Sequence, residues 1–383
     1  MRMQPRGLGQ AILALFVAAA CGGPSTVATI SSTPTPTPQA LPSGQLIVLA
    51  EGTGVPNASG ANAGCPCGAT SVRFVTPAGQ VVADYPLEQG VSLLAAAGNR
   101  VFVVTQGGEL KAIDRYGMVE HLGPLGTCCP SLVPSPDGKS WLWQTVGQVS
   151  NGIYEFPSQI HVAGDGLADR VVEQYTGARV LRPYTWTAAG VFIEHSRTGI
   201  GGYFPFKLIG APMDRLDLET GNVTALSVGD QCSLGDVARD GTIACFTGSD
   251  QARALQLVVP SGGTKNVDLA RPQFNIPGEA WFDPSGSVLI AAGATGVGGG
   301  FATPNPQPEE YTTYLVKLDG SIVQFGPAGA RPALRAQSWL SSQQVVLWRP
   351  SGASGGPAGL YVLDMSGHGN FIADAGMPVG VLS

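Results

Sequence analysis

The side chains best suited to metal ligation or acid–base catalysis are four histidines, His121, His161, His195 and His368, and seven cysteines. The histidines stand far apart without metal-ligand spacing, and neither a GxSxG nor an HExxH motif occurs. Glu194 and His195 are neighbours. On a strand, neighbours point to opposite faces, which argues against their working together as an acid–base pair. Cys65 and Cys67 form one cysteine pair and Cys128 and Cys129 another. These four could cross-bridge as disulfides, close into two internal bridges, or hold Cu(I) or zinc as thiolates. Cross-bridging ties down a glycine-rich insertion and avoids the strain of adjacent-residue bridges, and it is the leading reading. No catalytic constellation follows, so the reading is non-catalytic, with no cofactor and no metal.

The elements that would position these residues are repetitive. With 54 Gly and 30 Pro in 383 residues, long helices are not expected, and 44% hydrophobic residues supply an ample core. A net charge of −6, with no basic cluster past the first residues, excludes a nucleic-acid partner. Six stretches share one grammar of apolar run, polar turn, apolar run: "SLLAAAGNRVFVV", "SLVPSPDGKSWLW", "YTWTAAGVFIE", "GDVARDGTIACF", "EAWFDPSGSVLIAAG" and "QSWLSSQQVVLW". Seven others, among them "MDRLDLETGNVTAL" and "YLVKLDGSIVQF", alternate apolar and polar residues around Asp/Gly turns, as half-exposed strands do.

One hairpin of each kind makes a four-stranded antiparallel unit, which recurs every 40 to 57 residues or so, in the range of propeller blades. The first unit lacks a leading strand, whereas "MPVGVLS" (377–383) ends the chain without a partner. The sequence therefore predicts an all-β fold, a seven-bladed β-propeller of four-stranded antiparallel blades, its ring closed by the C-terminal strand. Trp186, Trp281 and Trp339 are expected in the core between blades.

The "SPDGKSWLW" and "FDPSGSVLI" turns resemble the TolB-like and WD-type propellers of bacterial envelope proteins, in which such an Asp-Gly turn joins the two inner strands. The resemblance implies a propeller and no particular activity. The same turn departs from the sialidase Asp-box, whose Gly comes two residues after the Asp.

At the N-terminus Arg2 and Arg6 precede an apolar run too short to span a bilayer, followed by small residues. Residues 1–20 read as a signal peptide. The "VAAAC" junction resembles the lipobox of bacterial lipoproteins, with Ala18 where Leu is commonest, and implies acylation at Cys21. Residues 21–43, with an alternating Thr-Pro stretch, read as a lipid-anchored linker, and 44–383 as the propeller. The protein is thus expected in the cell envelope, outside the cytoplasm, as a monomer touching the membrane through its anchor only.

Assigning Cys21 to lipid leaves six cysteines, an even number suited to disulfides in an oxidising compartment. Cys232 and Cys245 flank the "ARDGT" turn. If Val237 lies opposite Thr242, they come near enough to bridge, given a slip that a bulge absorbs.

In an up-and-down blade, connections from second to third strand share a face with the links between blades, and the long insertions fall there. The candidate binding face comprises Glu194, His195 and Arg197, Tyr203, Phe204 and Phe206, Glu309, Glu310 and Tyr311, and Trp348 with Arg349. Together they suggest a polar and aromatic rim for a protein, peptide or glycan. The leading function is a binding or scaffold lipoprotein. The alternatives are a propeller lyase, hydrolase or quinone-dependent dehydrogenase acting at the central funnel, and an envelope metal-binding protein using the clustered cysteines.

Overall fold

The computed structural model describes residues 44–52, 69–87, 90–126, 131–147, 156–197, 211–226, 232–247, 254–267, 276–286, 288–295, 310–319, 321–324, 335–349, 357 and 359–383. Among them, every sheet is antiparallel and four-stranded, and the fold is an all-β propeller of such blades.

The first sheet contains β1 (Leu46–Glu51), β2 (Ser71–Val75) and β3 (Val81–Pro86). The second has β4 (Val91–Ala97), β5 (Arg100–Thr105), β6 (Glu109–Asp114) and β7 (Val119–Pro124). The third has β8 (Leu132–Pro134), β9 (Ser140–Val146), β10 (Phe156–Gly164) and β11 (Leu167–Gly177). The fourth has β12 (Arg179–Thr187), β13 (Gly190–Arg197), β14 (Met213–Leu216) and β15 (Val223–Ala225). The fifth has β16 (Ser233–Val237), β17 (Ile243–Thr247), β18 (Ala254–Val258) and β19 (Thr264–Val267). The sixth has β20 (Ile276–Phe282), β21 (Val288–Thr295), β22 (Glu310–Lys317) and β23 (Ile322–Gln324). The seventh has β24 (Arg335–Ser341), β25 (Gln344–Arg349), β26 (Gly359–Asp364) and β27 (Gly369–Ala373). The last strand, β28 (Met377–Leu382), returns to pair with β1, so the first sheet runs β28-β1-β2-β3.

The innermost strands touch in succession, β4 to β8, β12, β16, β20 and β24, while β28 touches both β24 and β4. The apolar cores accordingly sit in the seams between sheets. One joins Leu142, Ile160 and Val162 of the third blade to Leu181, Val191 and Ile193 of the fourth. Another sets Phe192 and Met213 of the fourth against Val237 and Ile243 of the fifth.

This layering explains the two hairpin grammars. Second strands such as β1, β5 and β25 are covered on both faces by neighbouring blades, so they bury nearly every residue and read as mainly apolar runs. Outer strands such as β7 and β15 lie at the rim and are mostly exposed. The aspartates in the inner turns of the third, fifth and sixth blades play one local role: Asp137 accepts from Lys139 N at 3.1 Å, Asp240 from Thr242 N at 2.8 Å and Asp283 from Ser285 N at 3.1 Å. Gly138 has φ of 70°, and a Cβ there would stand 2.5 Å from the Ala97 carbonyl of the blade before, so this turn requires glycine.

Cys232 and Cys245 are joined by a disulfide, with Cα atoms 5.2 Å apart. The expected register is corrected by one residue: Val237 faces Ile243, and Cys245 faces Leu234. The register shift falls between Leu234 and Asp236, a bulge at Gly235. Cys21, Cys65, Cys67, Cys128 and Cys129 lie outside the described residues. Among the described residues no helix is long and apolar enough to cross a membrane.

Candidate functional site

A cavity of about 730 Å³ opens where the inner strands and inner turns of the third to sixth blades converge. Its lining includes Ser135, Asp137, Trp186, Asp236, Arg239 and Asp283. It is bounded by the turns between first and second strands. These lie at the opposite end of the blades from the second-strand ends Arg197 and Arg349, where the recognition rim was expected.

Asp236 is the best-positioned group in it. The bulge at Gly235 inserts one extra residue into β16 and re-aims the strand. Gly235 is needed for closeness, since a Cβ there would meet the Ala280 Cβ at 3.0 Å and the Phe246 ring at 3.1 Å. The Tyr184 hydroxyl, from the fourth blade, donates to the Gly235 carbonyl at 3.3 Å. On the other side, Phe282 N, from the sixth blade, donates to Asp236 Oδ2 at 2.7 Å. Burial pushes the Asp236 carboxyl up to about 7, against the lowering effect of the Phe282 and Val237 backbone N–H groups. At neutral pH this carboxyl can either donate or accept a proton.

Asp137 is tuned the other way. The Ser135 hydroxyl donates to it at 2.6 Å, and together with the Lys139 N–H this holds its carboxyl below the usual range. Asp283 is buried and accepts from the Ser285 hydroxyl. Three carboxylates with Arg239 at the rim make a mouth suited to a ligand bearing cationic or hydroxyl groups.

The residues expected on the rim separate into three groups. Glu194, Trp348 and Arg349 are buried, at 2%, 3% and 7% exposure, and do not present a surface. The reason is position: they stand on second strands that neighbouring blades cover. Glu194 accepts from the Ser196 hydroxyl at 2.9 Å, Trp348 packs in the seam between the first and seventh blades, and the Arg349 guanidinium lies 4.8 Å from the Tyr361 ring centre. Arg197 is in β13, and Glu310 and Tyr311 begin β22 opposite Thr295 and Ala294. Tyr203, Phe204, Phe206 and Glu309 lie outside the described residues.

His195 is partly buried and bonded. Ile193 faces Asp214 across β13 and β14, so His195 and Asp214 share one face two residues apart, and the ring Nε2 reaches Asp214 Oδ2 at 2.6 Å. Glu173, on β11 of the third blade, completes a cluster with them. Burial, then the nearby Asp214 carboxylate, raises Glu173 to about 7. Glu194 points to the opposite face, as strand alternation requires. His161 stacks on Trp143 and contacts Asp169 and Thr145, while His368 contacts Ser366, so the histidines are not brought together.

Of the tryptophans expected between blades, Trp339 is buried and donates to the Trp281 carbonyl of the sixth blade at 2.8 Å, and Trp186 packs between the third and fourth. Sequence reasoning missed Asp236, Glu173 and Asp214. The available signal was Asp236, the one ionisable residue of the inner strand Ser233–Val237.

Fold and seams define a β-propeller. No family model matches the chain, and no curated protein matches it. Among solved structures it is similar to the acylaminoacyl peptidase of Pyrococcus horikoshii, with 12% identity and a TM-score of 0.51 over 80% of this chain and 51% of that one. TolB from Acinetobacter baumannii aligns at 11% identity and a TM-score of 0.44 over 89% of this chain and 66% of that one. An oligogalacturonate lyase from Vibrio parahaemolyticus aligns at 12% and 0.49 over 83% and 91%. The chain thus spans about half the length of the peptidase and just under two thirds of TolB. At these identities the likeness is one of fold.

Proposed function

We propose that this chain is an extracytoplasmic binding lipoprotein, a seven-bladed propeller closed by its C-terminal strand, which takes a polar segment of a protein, peptide or glycan into the cavity between its third and sixth blades. The observation that carries the reading is that cavity, about 730 Å³, lined by carboxylates from three blades. Pairing of β28 with β1, and its contacts with β4 and β24, support the ring. The signal-like residues 1–20, the cysteine at 21 and the Pro/Thr spacer support export and anchoring.

A photo-crosslinker at Arg239, on the rim, and another at Val146, at the opposite end of the third blade, test the ligand face in envelope preparations. A partner captured from position 239, and lost on Asp236→Asn and Asp283→Asn substitution, supports the reading. Capture only from position 146 overturns it. Mass spectrometry of the mature N-terminus checks the anchor: a diacylglyceryl Cys21 is expected.

A second reading, an enzyme at the funnel, is favoured by Asp236 alone, because a carboxyl titrating at about 7 suits general acid–base work. Turnover of a bound peptide or glycan that disappears in Asp236→Asn while binding persists would select it.

A further inference from the structure

The seam between the third and fourth blades carries three ligand-bearing side chains from three strands. His195 and Asp214 come from β13 and β14 of one blade, and Glu173 from β11 of the other. One ligand atom from each lies within 4.8 Å of the other two. We propose that Glu173, His195 and Asp214 hold a divalent transition-metal ion between these blades.

Charge and hydrogen bonding both point to a cation. Two carboxylates share a partly buried seam with a single imidazole, and among the described residues neither forms an ion pair with Lys or Arg. Glu173 Oε2 is closed to solvent and accepts no hydrogen bond. An acceptor shut away from water without a donor is costly, and a metal ion satisfies it directly. Metal binding would displace any proton held between the two carboxyls, and a doubly charged ion then balances both of them.

The donor set selects the metal. One imidazole nitrogen and two carboxylate oxygens suit zinc or manganese, not a thiophilic ion. In a tetrahedral zinc site the ligand atoms stand about 3.3 Å apart. His195 Nε2 and Asp214 Oδ2, now 2.6 Å apart, must part slightly, and Glu173 must close by at most about 1.5 Å, within reach of side-chain rotation. Tyr175, whose ring meets His195 edge-on at 5.1 Å, walls one side. Three protein ligands leave a coordination position for water or an outside ligand. Strand geometry makes the site rigid, because His195 and Asp214 are fixed by the β13–β14 register and Glu173 by the packing of two blades.

The test uses untagged full-length chain, stripped with chelator and titrated with Zn²⁺ or Mn²⁺. At a hundredfold excess over Kd the unfolding midpoint should rise by about 3–5 °C. Manganese separates this site from the cysteines, because thiolates bind it poorly, and its bound form is read by electron paramagnetic resonance. His195→Gln and Glu173→Gln should weaken binding at least about tenfold, whereas His161→Gln, a histidine outside the cluster, should leave it unchanged. If a variant fails to fold, Mn²⁺ on the unaltered chain still decides the matter: pulsed electron paramagnetic resonance should show coupling to one imidazole nitrogen, and Co²⁺ bound there should show d–d bands without thiolate charge-transfer absorption. Absence of stoichiometric binding of all three ions to the stripped chain, or binding that His161→Gln abolishes and His195→Gln does not, overturns the proposal.

Discussion

Replacing Asp236 by Asn should stabilise the protein at pH 8 and leave it nearly unchanged at pH 4. In the folded chain the Asp236 carboxyl titrates at about 7, against 3.8 when free. Between those values the folded state holds a proton that the unfolded state has released, so stability falls as pH rises from about 4 to about 7. Above 7 the loss is complete and constant. At 1.36 kcal/mol per unit the full rise corresponds to about 4 kcal/mol, and partial solvent access lowers the expectation to about 2–4 kcal/mol. Asn keeps the acceptor for Phe282 N, 2.7 Å away, so the substitution removes the ionisable group and not the contact. Glu173, which also titrates at about 7, is present in both proteins and cancels in the difference. Denaturant unfolding of both proteins at pH 4, 6 and 8 measures the gap. A gap equal at all three values would refute the reasoning, and so would an unaltered protein more stable than Asp236→Asn at pH 8, because either result places the folded carboxyl near its free value.

Two further outcomes are expected. Deleting Met377–Ser383 removes the inner partner of β1 together with Leu382, which is fully buried, and should cost at least about 2–5 kcal/mol. Thermal melting checks this, and an unchanged midpoint would mean that β28 does not hold the first and second blades. Substituting both Cys232 and Cys245 by Ser opens a loop whose ends are 13 residues apart and should lower stability by about 3 kcal/mol; non-reducing peptide mapping should recover the two as a single linked pair.

The propeller was legible in the sequence because its constraint is local and repeated. A strand covered on both faces is mainly apolar, an outer strand alternates, and in the third, fifth and sixth blades a turn bearing Asp and Gly joins the inner strands. Each rule writes itself into a few adjacent residues, so "SPDGKSWLW" and "FDPSGSVLI" reveal a hairpin without knowledge of its neighbours. The partner of the tail was legible for the same reason, since the first unit lacked one strand and the chain ended with one to spare. The cluster and the cavity were not legible. Glu173 and His195 meet because two blades pack, and Asp236 joins Phe282 because a one-residue bulge redirects β16. Glu194, Trp348 and Arg349 read as a recognition rim by residue type, yet neighbouring blades cover them. Strand periodicity decides which residues share a face, but which blade covers that face, and hence whether a carboxyl there meets water, a histidine or another carboxyl, is decided only when the blades pack.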